Sequence, residues 1–116
     1  MVRKEKAVIV DGLAGGKGQA EVYHVVSEEE MMGHGRLYAR VVLKPNSSVG
    51  YHQHVGETEP YLILKGKGTF IDNDGSRTEV GPGDVCIIDV GHSHGLENNS
   101  DEDLEFMALV YMDEVK

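Results

Sequence analysis

Apolar positions along this chain fall in short runs separated by glycine-rich breaks. Ala7–Val10 (AVIV) is the first run, and the connection after it, Gly12–Gly18 (GLAGGKG), is expected to be flexible. Ala20–Val26 (AEVYHVV) is the second. Arg36–Leu43 (RLYARVVL) alternates, with Leu37, Ala39, Val41 and Leu43 on one face and Tyr38 and Arg40 on the other, the period of a strand with one buried side. Tyr61–Gly66 (YLILKG) reads as a strand closed by glycine, and Gly68–Val80 as a hairpin with a tight turn at Asp74-Gly75. Gly81–Asp84 (GPGD) is a further turn and Val85–Val90 (VCIIDV) a buried strand. Leu104–Tyr111 (LEFMALVY) is a last strand, apolar on both faces except at Glu105. The stretch SEEEMMG allows one helical turn at most, with Ser27 and Glu30 forming a capping box and Gly33 ending it.

Many short strands, almost no helix and turn signals at intervals of roughly 8–12 residues describe an all-β sandwich or barrel of the jelly-roll type. Glycine-rich GLAGGKG is not a phosphate loop, since no Lys-Ser or Lys-Thr pair and no helix follow it. No repeat or low-complexity tract interrupts the pattern, and residues 1–116 are expected to form a single domain.

Composition narrows the possible partners. With no Trp and only 2 Phe, the core must be largely aliphatic. A formal charge of −9 argues against nucleic acid and against anionic membrane surfaces, both of which would repel it. Cys86 is the single cysteine, so no intramolecular disulfide is possible, and a reducing compartment is the simplest reading. The N-terminal apolar run is too short for a secretory signal, and no run reaches the length of a membrane span. A cytoplasmic location is expected.

The chemistry concentrates in Tyr51–Pro60, YHQHVGETEP. Side chains repeat every second residue on a strand, so His52 and His54 share a face and both can reach one ion. Two carboxylates follow, Glu57 in the expected turn and Glu59 at the start of the next strand, either of which could complete a site. Pro60 holds Glu59 in extended geometry. A lone His-x-His pair is common on exposed strands without any metal, and Gly91–His94 (GHSH) by itself reads as a solvated turn.

Together the two stretches carry more. HQHVGETEPYLILKG resembles the first motif of the cupin family, His-x-His, a short spacer, Glu, a longer spacer and Gly, through His52, His54, Glu59 and Gly66. GDVCIIDVGHSHGLEN resembles the second motif through Gly83, Gly91, His94 and Asn98. Two positions depart from the pattern. Asn46 stands where the first motif has a glycine, and Asn tolerates left-handed turn geometry. Asp89 stands where the second has a proline, which places a carboxylate near the barrel mouth.

The resemblance covers roughly residues 37–111, leaving N-terminal strands within 7–26 outside it. It implies a small double-stranded β-helix, or jelly-roll barrel. It also implies one divalent transition metal ion (Mn, Fe, Ni, Cu or Zn) held by His52, His54, Glu59 and His94, with open positions for a ligand. The family's spacing from Glu to Gly selects Glu59 over Glu57, which is left as a rim carboxylate.

Tyr61 shares the phase of Glu59 and is expected to point inward. With His92 and Asp89, whose plainer roles are rim histidine and turn residue, it makes up the set of candidates for proton transfer. Tyr38 and Arg40 suit an interface, His24 and His34 read as structural or surface residues, and Cys86 reads as an inert buried thiol. The resemblance implies a metalloenzyme acting on a small polar carboxylate- or carbonyl-bearing molecule, decarboxylase-, dioxygenase- or isomerase-like, with oxalate-decarboxylase-like proteins among the candidates. The alternative is a non-catalytic, metal-dependent binding or sensing module, a reading encouraged by the lack of a visible lid. A structural barrel with a vestigial site is a third possibility, and the intact four-ligand set argues against it. A homodimer is expected.

Overall fold

The structure is a computed structural model that describes residues 1–115. Among these residues eleven strands run in chain order: β1 Lys6–Asp11, β2 Gln19–Val26, β3 Gly35–Leu43, β4 Ser47–Gln53, β5 Glu57–Thr58, β6 Tyr61–Lys65, β7 Gly68–Ile71, β8 Arg77–Val80, β9 Val85–Cys86, β10 Ser93–Asn98 and β11 Leu104–Met112. Two short 3-10 turns, Leu13–Gly15 and Glu29–Met31, are the only helical elements among the described residues. One sheet has the order β1-β2-β3-β11-β6-β9, with β5 also on β11; the other has the order β4-β10-β7-β8. All pairings are antiparallel, and the inner faces of the two sheets enclose an aliphatic core. This is the jelly-roll barrel the alternation predicts. Among the described residues, no helix is long and apolar enough to cross a membrane.

Burial follows the strand phases. On β3, Ala39, Val41 and Leu43 are buried while Tyr38 is exposed, and on β6 Tyr61 and Ile63 face in while Leu62 and Leu64 face out. On β11, Leu104, Phe106, Ala108 and Val110 are buried, and Met107 and Leu109 are half-buried on the outer side. Arg40 is not left open on that side, because it pairs with Glu5 and Glu105 and lies 4.2 Å over the Tyr23 ring. The capping box forms, with Ser27 N–H donating to Glu30 Oε1 at 2.8 Å and Glu30 N–H donating to Ser27 Oγ at 3.1 Å. Asn46 adopts a φ of 58°, the left-handed geometry its place demands.

Three expectations change. Val85–Val90 is not a buried strand: only Val85–Cys86 pairs, and Cys86 and Ile88 are buried while Val85, Ile87, Asp89 and Val90 are exposed. The β7–β8 connection is wider than a two-residue turn, since Ile71 pairs with Arg77 and the chain closes over Asp72–Ser76 with Gly75 in the left-handed region. GLAGGKG is not a loose tether. Gly12 N–H donates to Gly18 O, Lys17 N–H to Ser48 Oγ and Ser48 N–H to Lys17 O. A Cβ on Gly16 would meet Ser48 O at 2.0 Å, so the loop seats on β4 only because that position is glycine.

That contact adjoins a β-bulge. β10 pairs with β4 at His94↔His52 and again at Leu96↔Val49, so Gly50 and Tyr51 together stand opposite Gly95. The extra residue reverses the phase of β4. Val49 faces the core from an odd-numbered position, and beyond the bulge the even-numbered His52 and His54 turn inward while Tyr51 faces solvent.

Candidate metal centre

His52 lies on β4 and His94 directly opposite it on β10. His54 follows the end of β4, and its backbone is braced twice by the neighbouring turn: His54 N–H donates to His92 O at 3.0 Å and Gly91 N–H donates to His54 O at 2.8 Å. Glu59 does not open a strand as expected. It sits between β5 and β6, with Pro60 after it, where the chain crosses from the outer part of β11 back to its middle.

These residues converge. One ligand atom from each of His52, His54, Glu59 and His94 lies within 4.8 Å of the others. His54 Nε2 is 2.9 Å from His52 Nε2, 3.0 Å from His94 Nε2 and 3.1 Å from Glu59 Oε1. His54, Glu59 and His94 are buried, and His52 is partly exposed. The Tyr61 ring stacks on His94, and its hydroxyl donates to Glu59 Oε1 at 3.2 Å.

The tautomers are set from behind. His52 Nδ1 lies 2.6 Å from the Gly50 carbonyl, which only accepts, so Nδ1 carries the proton. His54 Nδ1 lies 2.6 Å from Glu57 Oε1, and Arg36 binds the same carboxylate through Nε at 2.8 Å and Nη2 at 2.7 Å. Hydrogen bonds from Arg36 hold the Glu57 carboxyl below its usual range, so Glu57 accepts and His54 donates through Nδ1. Both rings therefore turn Nε2 lone pairs toward one another and toward Glu59. Nitrogen lone pairs packed against an anionic oxygen repel unless a cation lies among them. The donor set, three imidazoles and one carboxylate with two rings anchored through Nδ1, fits a divalent transition ion.

A cavity of about 370 Å³ opens beside the cluster, lined by His52, His54, Glu59 and Tyr61 among others. Burial, then the negative charge of Glu59, pushes the Tyr61 phenol well above its usual value, so it stays a neutral donor. Asp89 and His92 do not line this cavity. With Asp72, Asn73 and Asp74 they line a separate depression. Ile88 is turned inward there and strand-like alternation turns Asp89 out, while Gly91, at φ 86°, turns the chain just before His92.

Three participants escape a reading of the sequence. Glu57 is no rim carboxylate: it belongs to β5, is buried and anchors His54. Arg36 and His24 line the cavity. His24 had a usable signal, since it shares the parity of the buried Ala20 and Val22 on β2, whereas Arg36 meets Glu57 only across the folded sheet.

Residues 39–110 match the family described as "Cupin domain". The chain belongs to the cupin family. An "Oxalate-binding protein" of Thermotoga maritima is 47% identical to this cupin over 103 residues, 89% of this chain and 84% of the relative. A crystal structure from the same organism, described as a "predicted oxalate decarboxylase", superposes with a TM-score of 0.89 at 44% identity, covering 97% of this chain and 98% of the other. A cupin-like protein of Thermotoga maritima, at 18% identity and a TM-score of 0.78, covers 100% of this chain and 84% of the other, and shares the fold. So does a polyketide cyclase of Streptomyces resistomycificus, at 20% identity and a TM-score of 0.73 over 100% of this chain and 86% of the other.

Proposed function

We propose that this cupin holds one divalent transition metal ion on His52, His54, Glu59 and His94 and binds a small carboxylate- or carbonyl-bearing molecule there. The observation that carries the reading is the convergence of three Nε2 atoms and Glu59 Oε1 beside a cavity large enough for a small molecule. A bound ion supplies a Lewis acid that attracts ligand oxygens. The name of the Thermotoga maritima relative makes oxalate the first ligand to test.

The chain's own residues have definite parts in this reading. Glu57 and Arg36 keep His54 in one tautomer and orientation. Tyr61 places a neutral hydroxyl beside Glu59 at the cavity wall. Binding without turnover is the first reading. Turnover is the second, and the place of Tyr61 favours it: among the three proton-transfer candidates, Tyr61 alone lines the cavity, while Asp89 and His92 line the other depression. The expected homodimer belongs to the proposal too. β1 is an edge strand with Val8 and Ile9 exposed, which suits pairing with a second copy.

Elemental analysis of the native protein tests the centre. About one transition metal ion per chain is expected, and the His52→Ala, His94→Ala double variant is expected to carry almost none. Full occupancy in the double variant overturns the assignment. Calorimetric titration of oxalate into metal-loaded and metal-free protein tests the ligand class, and metal-dependent release of carbon dioxide separates turnover from binding.

A further inference from the structure

The cavity is larger and more apolar than a dicarboxylate with no carbon chain requires. Nine of the fifteen residues that line it carry only carbon in their side chains. Val22 and Val41 come from the paired strands β2 and β3, Val49 from β4 of the other sheet, Phe106 and Ala108 from β11, and Leu13 from the loop seated on β4. Of the remaining six, four belong to the metal cluster or, as Tyr61, touch it directly; the other two are His24 and Arg36. The Arg36 guanidinium already gives two hydrogen bonds to Glu57. A ligand made only of carboxyl groups would leave the carbon wall facing water.

The register explains the space. A row of paired residues crosses the sheet from Tyr61 to Ala108, from Ala108 to Ala39 and from Ala39 to His24. Two methyl groups stand where larger side chains on a jelly-roll wall would meet across the core. Of that row, Tyr61, Ala108 and His24 line the void, with the metal cluster at the Tyr61 end.

We infer that the ligand of this cupin has a hydrocarbon body behind its coordinating end: a 2-oxo acid with an aliphatic or aromatic side chain, in preference to oxalate. The inference deepens the metal-anchored carboxylate reading and rests on it. The carboxylate and the adjacent carbonyl oxygen supply the coordinating end, and Val22, Val41, Val49 and Phe106 cover the body. Each methylene that leaves water for this wall adds affinity.

The test is calorimetric titration of metal-loaded protein with oxalate, pyruvate, 2-oxobutanoate, 2-oxopentanoate, 2-oxohexanoate and phenylpyruvate, repeated on metal-free protein. Affinity is expected to rise by up to about fourfold per added methylene, to be higher for phenylpyruvate than for pyruvate, and to vanish without metal. Val22→Thr, which places a hydroxyl in the wall at nearly constant volume, is expected to flatten the rise. Ala108→Val, which fills part of the void, is expected to move the best ligand to a shorter acid. Metal content measured on the same samples shows that the cage is intact in each variant. Affinity that stays flat or falls with chain length, or oxalate binding tighter than every 2-oxo acid, overturns the hydrocarbon body and leaves the carboxylate reading standing. Failure of all six acids to bind loaded protein overturns both.

Discussion

Glu57 holds His54 from the side away from the candidate metal, with His54 Nδ1 2.6 Å from Glu57 Oε1 and Arg36 clamping the same carboxylate. A carboxylate behind a ligating imidazole fixes its tautomer and raises its basicity. Glu57→Ala is therefore expected to weaken metal affinity by about 10–100-fold while leaving the four ligands in the sequence untouched. Competition with a chelator of known affinity measures it. Glu57→Gln, which keeps an acceptor oxygen, should lose less. Equal affinity in wild type and Glu57→Ala removes Glu57 from the site.

The bulge at Gly50 coincides with a close backbone approach. A Cβ there would stand 2.2 Å from Ala14 O and 2.8 Å from Gly16 N, both main-chain atoms with little freedom to move. Gly50→Ala should cost about 1–3 kcal/mol of stability through overpacking. Because the same bulge aims His52 and His54, metal affinity should fall with it. Denaturant unfolding and chelator competition report the two effects, and a variant that keeps both wild-type values shows that the loop is not held by this contact.

Asn98 is fully buried between the end of β10 and the segment that follows. Its Nδ2 donates to Leu43 O at 2.9 Å, Lys44 O at 3.1 Å and Glu102 O at 2.8 Å, and its Oδ1 accepts from Ser100 N–H at 3.1 Å and Ser100 Oγ–H at 2.8 Å. Asn98→Ala strands several of these groups away from water, and a loss of about 3 kcal/mol in denaturant unfolding is expected. A loss below about 0.5 kcal/mol shows that water replaces the amide.

Burial, with Asp84 and Asp72 adding to it, pushes the Cys86 thiol from 9.0 up to about 11. The folded thiol holds its proton more tightly than the unfolded one. That stability is present in full below pH 9 and is lost as pH rises towards 11. At pH 8 a thiol reagent should label unfolded protein rapidly and native protein slowly. Rapid labelling of the native state contradicts the burial of Cys86.

Much of this was legible from the residues. Alternation on Arg36–Leu43 placed Ala39, Val41 and Leu43 in the core, and the Ser27–Glu30 box appeared as spacing alone predicts, since both are local effects of side chains a few residues apart. The cluster of His52, His54, Glu59 and His94 was foreseen through the family resemblance, and the structure brings the four together. Asp89 and His92 stood beside Tyr61 as proton-transfer candidates; of the three, Tyr61 lines the cavity next to the cluster, while Asp89 and His92 line a separate depression, in keeping with their plainer roles as turn and rim residues.

By itself the sequence determined an antiparallel barrel of short strands, its aliphatic core phases and the residue types able to hold a cation, because each depends on period-two burial and on side-chain chemistry. Only the tertiary structure decided which way those residues point. Strict alternation from Val49 would turn His52 outward; the bulge opposite Gly95 turns it in, and the Gly12–Gly18 loop packs against that bulge at Gly50. Only the fold, likewise, brought Arg36 to Glu57 and opened a carbon-lined space beside Ala108. These relationships join residues far apart in the chain, and long-range pairing has no local signal to read.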